Sequence, residues 1–281
     1  MKKFKGKALY QPSGKAEEYS PWAVNFYTGC SNDCEYCYCK RGVMSHVWDD
    51  KPHLKKCFIN ERDALQTFIR ELENNHELIG DSGILFSFTT DPLLPETRDL
   101  TFQAMEEALT FGIPVKVLTK RADWLNDFIR RTEIERILYG EFKHLIAFGF
   151  TLTGFDEKEP NACSNFDRTE IMQELHNMGF KVWASIEPII TPAMSLNMIQ
   201  RTQGYCDLYK IGLMSGVKKD YYNEKHLQLF FNKLSRYPDS KFYLKDSFVS
   251  HLGIDRKTLA KNFVGADYNI FDSDNDVTSK S

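Results

Sequence analysis

Four cysteines fall within ten residues of this chain, at Cys30, Cys34, Cys37 and Cys39, and three more stand apart at Cys57, Cys163 and Cys206. The odd total, the 281-residue length and the lack of an export signal argue against a disulfide scaffold and for metal or catalytic chemistry. Thiolates spaced as Cys30-x3-Cys34-x2-Cys37 wrap one corner of an iron–sulfur cluster, which is usually held by four. Three local ligands leave one iron open to a substrate or cofactor. A structural zinc site is the competing reading. It uses Cys39 as fourth ligand, or borrows His46, His53 or Cys57, with His53-x3-Cys57 as a second chelate.

Other reactive side chains follow apolar runs. Phe88 leads into Thr89-Thr90-Asp91-Pro92, and Leu118 into Thr119-Lys120-Arg121. The hydroxyls and carboxylate of the first suit a polar ligand or an ordinary Asp-Pro turn. The two cations of the second suit a carboxylate or phosphate. Thr151 and Thr153 end a third run, and Glu187 before Pro188 ends a fourth. Lys210 sits inside the run DLYKIGLM, where an ammonium must snorkel or find an anion, and Glu187 is the expected partner. Cys163, in a loop, is a candidate hydrogen-atom donor.

These positions acquire meaning from the elements that carry them. The apolar runs Ala23–Tyr27, Ile84–Phe88, Val115–Leu118, Leu145–Leu152, Val182–Ile186, Leu208–Ile211 and Lys241–Leu244 read as strands. Helical periods separate them: a helix capped by Asn60, then Thr97–Thr110, Ala122–Leu138, Thr169–Met178 behind an Asp167/Glu170 capping box, Leu196–Gln203 and Tyr222–Leu234. Alternating strand and helix imply a parallel sheet with crossover helices, either doubly wound or a full or partial barrel. In both, chemistry collects at the C-terminal strand ends, where the residues above lie.

The cysteine motif, with Tyr36 just before its last member, resembles the signature of the radical S-adenosylmethionine (radical SAM) superfamily. Thr90-Asp91-Pro92 and Leu118-Thr119-Lys120 resemble its spore photoproduct lyase-like branch. The resemblance implies an α/β fold, a partial (β/α)6-type barrel of parallel strands over residues 21–245, with a basic flank at 1–20 and a C-terminal extension with an acidic tail at 246–281. It implies a [4Fe-4S] cluster on Cys30, Cys34 and Cys37, with S-adenosylmethionine chelating the open iron. Tyr36, Thr89, Thr90, Asp91, Thr151, Thr153, Glu187 and Lys210 become the expected cofactor-binding residues and Cys163 the expected catalytic one. The Gly-Gly-Glu-like segment usual in the superfamily after the second strand is absent here. The reaction implied is reductive cleavage to a 5′-deoxyadenosyl radical and hydrogen-atom abstraction, fed by a flavodoxin- or ferredoxin-type electron donor. Nucleic acid is one expected substrate. Radical modification of a peptide or small metabolite is the alternative, and a zinc-stabilised binding module is the alternative outside enzymes.

Composition narrows the field. The chain is 42% apolar and 27% charged, an ordinary globular balance. Four Asp and one Lys in residues 267–281 account for the whole net charge of −3, so the body is neutral and does not hold polyanions by bulk charge. No apolar run approaches the ~20 residues of a membrane helix, and the N-terminal lysines have no apolar segment behind them. The expected location is cytoplasmic.

Overall fold

A computed structural model describes residues 3–272 apart from 42–44, 47 and 135–137. Among the described residues ten strands are present: β1 Leu9–Tyr10, β2 Trp22–Val24, β3 Tyr27–Thr28, β4 His53–Leu54, β5 Ile84–Phe86, β6 Val115–Thr119, β7 Ile146–Thr151, β8 Lys181–Ile189, β9 Leu208–Leu213 and β10 Phe242–Leu244. Eight form one sheet in the order β1-β2-β5-β6-β7-β8-β9-β10. Only the β1–β2 pairing is antiparallel in that sheet. The seven parallel strands are the seven apolar runs expected from sequence. The first of those runs is shorter than expected, because the chain leaves the sheet after Val24. Tyr27–Thr28 pairs instead with His53–Leu54, making a separate two-stranded ribbon that frames the cysteine loop.

Crossover helices cover the outer face. Asn60 caps Glu61–Glu73 by accepting the Asp63 N–H at 2.9 Å, and Ala64, Phe68 and Leu72 on that helix are buried. The helix Asn165–Asn177 starts four residues earlier than its sequence suggests. Its cap is Ser164, which accepts from the Asp167 N–H, while Asp167 answers as the third helical residue. Thr191 caps Pro192–Thr202, with Pro192 in the first turn. The helix expected over Ala122–Leu138 runs Leu125–Ile134, and its last stretch touches residues outside those described.

The sheet has two apolar faces. The larger core lies between strands and helices and includes Phe68, Phe86, Phe102, Trp124, Phe128 and Phe148. A smaller one lines the inner face: Ala23, Leu85, Ala147, Trp183, Leu208 and Tyr243, covered at one end by Ile270 with Val264, Tyr268 and Phe271 packed around it. Strand pairing does not close the sheet into a barrel among the described residues. A strap does the joining. Residues 13–19 leave β1 at one edge and reach β9 and β10 at the other. Lys15 Nζ donates to Ser215 Oγ at 3.1 Å, and Lys210 Nζ to the carbonyls of Glu18 and Tyr19 at 2.7 and 3.0 Å. The Asp246 N–H and Tyr243 hydroxyl donate to Glu18 Oε1 at 2.7 and 3.2 Å. The 1–20 flank therefore supplies both an edge strand and part of the site wall.

Candidate active site

A cavity of about 620 Å³ opens at the C-terminal ends of the parallel strands, on their inner side. Cys30, Cys34 and Cys37 stand on one wall, in the loop that follows β3. Gly29 lets that loop turn: its φ is +82°, and a Cβ there would sit 2.1 Å from the Lys51 carbonyl oxygen. The turn sends the Cys30 N–H to the Asp49 carbonyl at 3.0 Å.

Two buried carboxylates clamp the cysteine loop. Asp91, in the loop that follows β5, accepts from Asn32 Nδ2 at 2.8 Å and from the Lys120 N–H and Thr119 hydroxyl, both at 2.7 Å. The Leu93 N–H is a fourth donor at 3.0 Å. Glu159, fully buried, accepts from the Tyr36 hydroxyl and pairs with the equally buried Arg168. Arg168 also donates to the carbonyls of Thr151 at 2.6 Å and Cys163 at 2.9 Å. The cysteine loop is thus tied to β5, β6 and β7 together. Sequence reading missed Asn32, Glu159 and Arg168. A buried Arg/Glu pair nine residues apart leaves no local pattern to find.

Protonation follows from this setting. Burial pushes the Cys30 thiol up to about 12, with the Asp91 charge adding to it. Burial also raises Cys34. Cys37 is drawn down to about 6, first by a hydrogen bond from Cys39. Cys39 is buried and lines the same cavity beside the three-thiol wall, and its thiol donates to the Phe88 carbonyl at 3.8 Å. Among the described residues, no three His, Cys, Asp or Glu side chains close on a single metal ion. A cluster takes each thiolate on a separate iron, so it does not need them that close.

Thr89, Thr90, Asp91, Thr151, Glu187 and Tyr36 all line the cavity. Thr89 spends its hydroxyl on the Tyr27 carbonyl at 2.6 Å, and Asp91 is saturated as above. Among the described residues Thr90 Oγ1 has no hydrogen-bond partner and is buried, a polar atom that calls for a ligand. Lys120 also faces the cavity. Among the described residues its Nζ has no hydrogen bond or ion pair, and it lies 5.7 Å over the Tyr36 ring. Burial works to lower its pKa, but Cys34, Glu159 and Asp91 outweigh that and hold it raised.

Glu187 is organised differently from expectation. Its Oε2 accepts from the Tyr19 hydroxyl at 2.5 Å and pairs with Lys245 Nζ at 2.6 Å. Ser185 Oγ lies 2.8 Å from the same Tyr19 hydroxyl. Gly212 makes room for this group, since a Cβ there would stand 2.8 Å from the Glu187 carboxyl and 3.0 Å from the Lys245 stem. Lys210 is the residue sequence paired with Glu187. It lies beneath the strap instead, ringed by Tyr19, Trp183 and Tyr243 at 5.3, 5.9 and 5.5 Å. Burial, then Lys116 and Lys245, hold its pKa well below the usual lysine range.

Three other expected residues stand off the cavity. Thr153 is buried and accepts the Phe155 N–H at 3.2 Å. Cys163 turns its thiol to Asp123 Oδ1 at 3.7 Å. Arg121 is held by Asp123 at 2.6 and 3.0 Å and by the Asn161 carbonyl at 2.7 Å. None of them lines the cavity.

Spore photoproduct lyase, solved in complex with a dinucleoside spore photoproduct, superposes with a TM-score of 0.56 over 83% of this chain and 78% of that one, at 14% identity. SuiB of Streptococcus suis superposes with a TM-score of 0.52 over 85% of this chain and 52% of that one, at 11% identity. This chain shares the fold of these two proteins. SuiB bound to S-adenosylmethionine gives a TM-score of 0.50. No family model matches the sequence. An uncharacterised protein of Acidianus two-tailed virus, ORF301, is 24% identical over 188 residues, and the match spans 56% of its length. No helix among the described residues is long and apolar enough to cross a membrane.

Proposed function

We propose that this chain is a radical SAM enzyme of the spore photoproduct lyase-like branch. The observation that carries the reading is the wall of three thiols facing an unpaired Lys120 ammonium and an orphaned Thr90 hydroxyl in one cavity at the strand ends. Cys30, Cys34 and Cys37 hold a [4Fe-4S] cluster. When bound, the cluster would supply one-electron reductive cleavage of the S-adenosylmethionine sulfonium and, through it, hydrogen-atom abstraction from the substrate. Lys120 meets the methionyl carboxylate and Thr90 the amino group. Thr151 and the Tyr19–Ser185–Glu187 group face the ribose and the substrate. Glu159 and Asp91 keep the cysteine loop in place through Tyr36 and Asn32.

The substrate in this reading is nucleic acid. Tyr38 and Trp48 line the cavity, Lys40 Nζ lies 4.9 Å over the Trp48 ring, and aromatic faces next to cations suit an unstacked base. The likeness to spore photoproduct lyase supports the same direction. A flavodoxin- or ferredoxin-type protein delivers the electron, which places the enzyme in a reducing cytoplasm.

Anaerobic reconstitution with counts of iron, sulfide and zinc, together with S-adenosylmethionine turnover, tests this. Four irons, four sulfides and slow formation of 5′-deoxyadenosine are expected. Alanine at Cys30, Cys34 or Cys37 should abolish the spin signal of the reduced cluster, while Cys39→Ala retains it. Stoichiometric zinc without labile sulfide overturns the reading.

A further inference from the structure

Two charges of opposite sign share the cavity wall with the three thiols. Asp91 is 7% exposed, and among the described residues it has no ion-pair partner. Its four donors are an amide side chain, a hydroxyl and two backbone N–H groups, all neutral. These bonds hold the carboxylate in place and leave its charge on it. Asn32, two residues past Cys30, ties it to the start of the cysteine loop. The other charge is Lys120, over the ring of Tyr36, the residue before Cys37. Its ammonium is likewise uncompensated by any ion pair among the described residues. Both side chains share the cavity wall with the three cysteines, and charges in a recessed site are screened less than charges in open water.

Reducing a cluster adds one negative charge to it. A fixed carboxylate nearby opposes that charge, and a fixed ammonium favours it. We propose that Asp91 and Lys120 set the reduction potential of the cluster on Cys30, Cys34 and Cys37 in opposite senses, Asp91 making it harder to reduce and Lys120 easier. The inference rests on the cluster reading above. It gives Asp91 a task other than binding the cofactor: it is a positioning residue whose charge also acts on the metal centre. The same geometry explains why the carboxylate is held by neutral donors, since an ion pair would cancel the charge.

The test uses the full chain, reconstituted anaerobically, without S-adenosylmethionine. Iron and sulfide are counted. The cluster is then titrated with a low-potential chemical reductant while the spin signal of its reduced form is followed. Asp91→Asn should move the midpoint to a more positive potential and Lys120→Met to a more negative one, with Lys120→Arg returning it to the wild-type value. Asn at position 91 presents an amide N–H2 to N–H donors, so this variant risks poor loading. If it takes up no cluster, the Lys120 pair alone decides, and an unchanged midpoint in Lys120→Met overturns the inference. Loaded variants that shift in the same direction, or not at all, also overturn it while leaving the cluster reading intact. A wild-type protein that takes up no iron and sulfide removes the cluster reading and this inference with it.

Discussion

Glu159 and Arg168 form a fully buried ion pair whose members also hold Tyr36 and the backbone of Thr151 and Cys163. Removing one partner leaves the other charge unmatched in a dry environment. Glu159→Gln should therefore lower the unfolding free energy by ~3–5 kcal/mol, read from the denaturant midpoint. Combining it with Arg168→Met should recover much of that loss. A Glu159→Gln protein as stable as wild type would mean that solvent reaches Arg168. At this scale the sequence was informative about cysteines and uninformative about what holds them. The Cys30–Cys37 spacing is local, and so it can be read from the sequence. Tyr36 to Glu159 spans 123 positions and appears only when β7 and the loop after it fold back onto the cysteine loop.

Lys116 shows what the alternation of a strand can force. It lies on the inner face of β6, level with Leu85 and Ala147, and its Nζ stands 6.0 Å over the Phe271 ring. Burial lowers its pKa from 10.5 to about 8. The unfolded chain therefore binds more protons than the folded one between about pH 8 and 10.5, and stability rises with pH across that window. The penalty of the charged form is complete below about pH 8 and amounts to at most about 3 kcal/mol. Lys116→Met should accordingly be more stable than wild type at pH 7.5, with the gap closing by pH 10.5. A gap that stays constant with pH would show that Lys116 is solvated in the fold. The parallel strands were legible because each is an apolar run bounded by polar turns. β1 and the β3–β4 ribbon were not, being pairs of residues too short to show any period.

For the molecule as a whole, the structure separates the two cations that the sequence offered to a carboxylate or phosphate. Lys120 is inside the cavity and Arg121 is locked onto Asp123. Two lysine runs far apart in sequence come together instead: Lys55 Nζ donates to the Lys7 carbonyl, and Lys5, Lys7 and Arg70 share one shallow groove. The acid in that groove, Glu71, is taken up by the N–H groups of Lys7, Ala8 and Leu9 at 2.6, 3.0 and 2.8 Å. Binding of single-stranded DNA or RNA should therefore weaken with salt, with a log–log slope of about −0.7 per phosphate contacted. Lys5→Glu with Lys7→Glu should lower both affinity and slope, and Arg121→Ala neither. Anisotropy titrations across salt concentrations check this. A loss in Arg121→Ala equal to that of the lysine pair would contradict the placement.

The sequence by itself determined the parallel α/β architecture and the position of the three thiols, because strand periods, helix caps and the cysteine spacing are all local. It also brought the polar residues after each strand to one end, since parallel strands must all point the same way. Which of those residues face the cavity was decided by tertiary structure. Glu187 and Lys210 lie on neighbouring strands with side chains on the same inner face, yet they take different partners. The strap carried by residues 13–19 claims Lys210 and supplies Tyr19, and the end of β10 supplies Lys245. Those choices depend on where the two edges of an unclosed sheet meet. Pairings between residues roughly 60 to 200 positions apart set that, and nothing in the sequence near either residue records it.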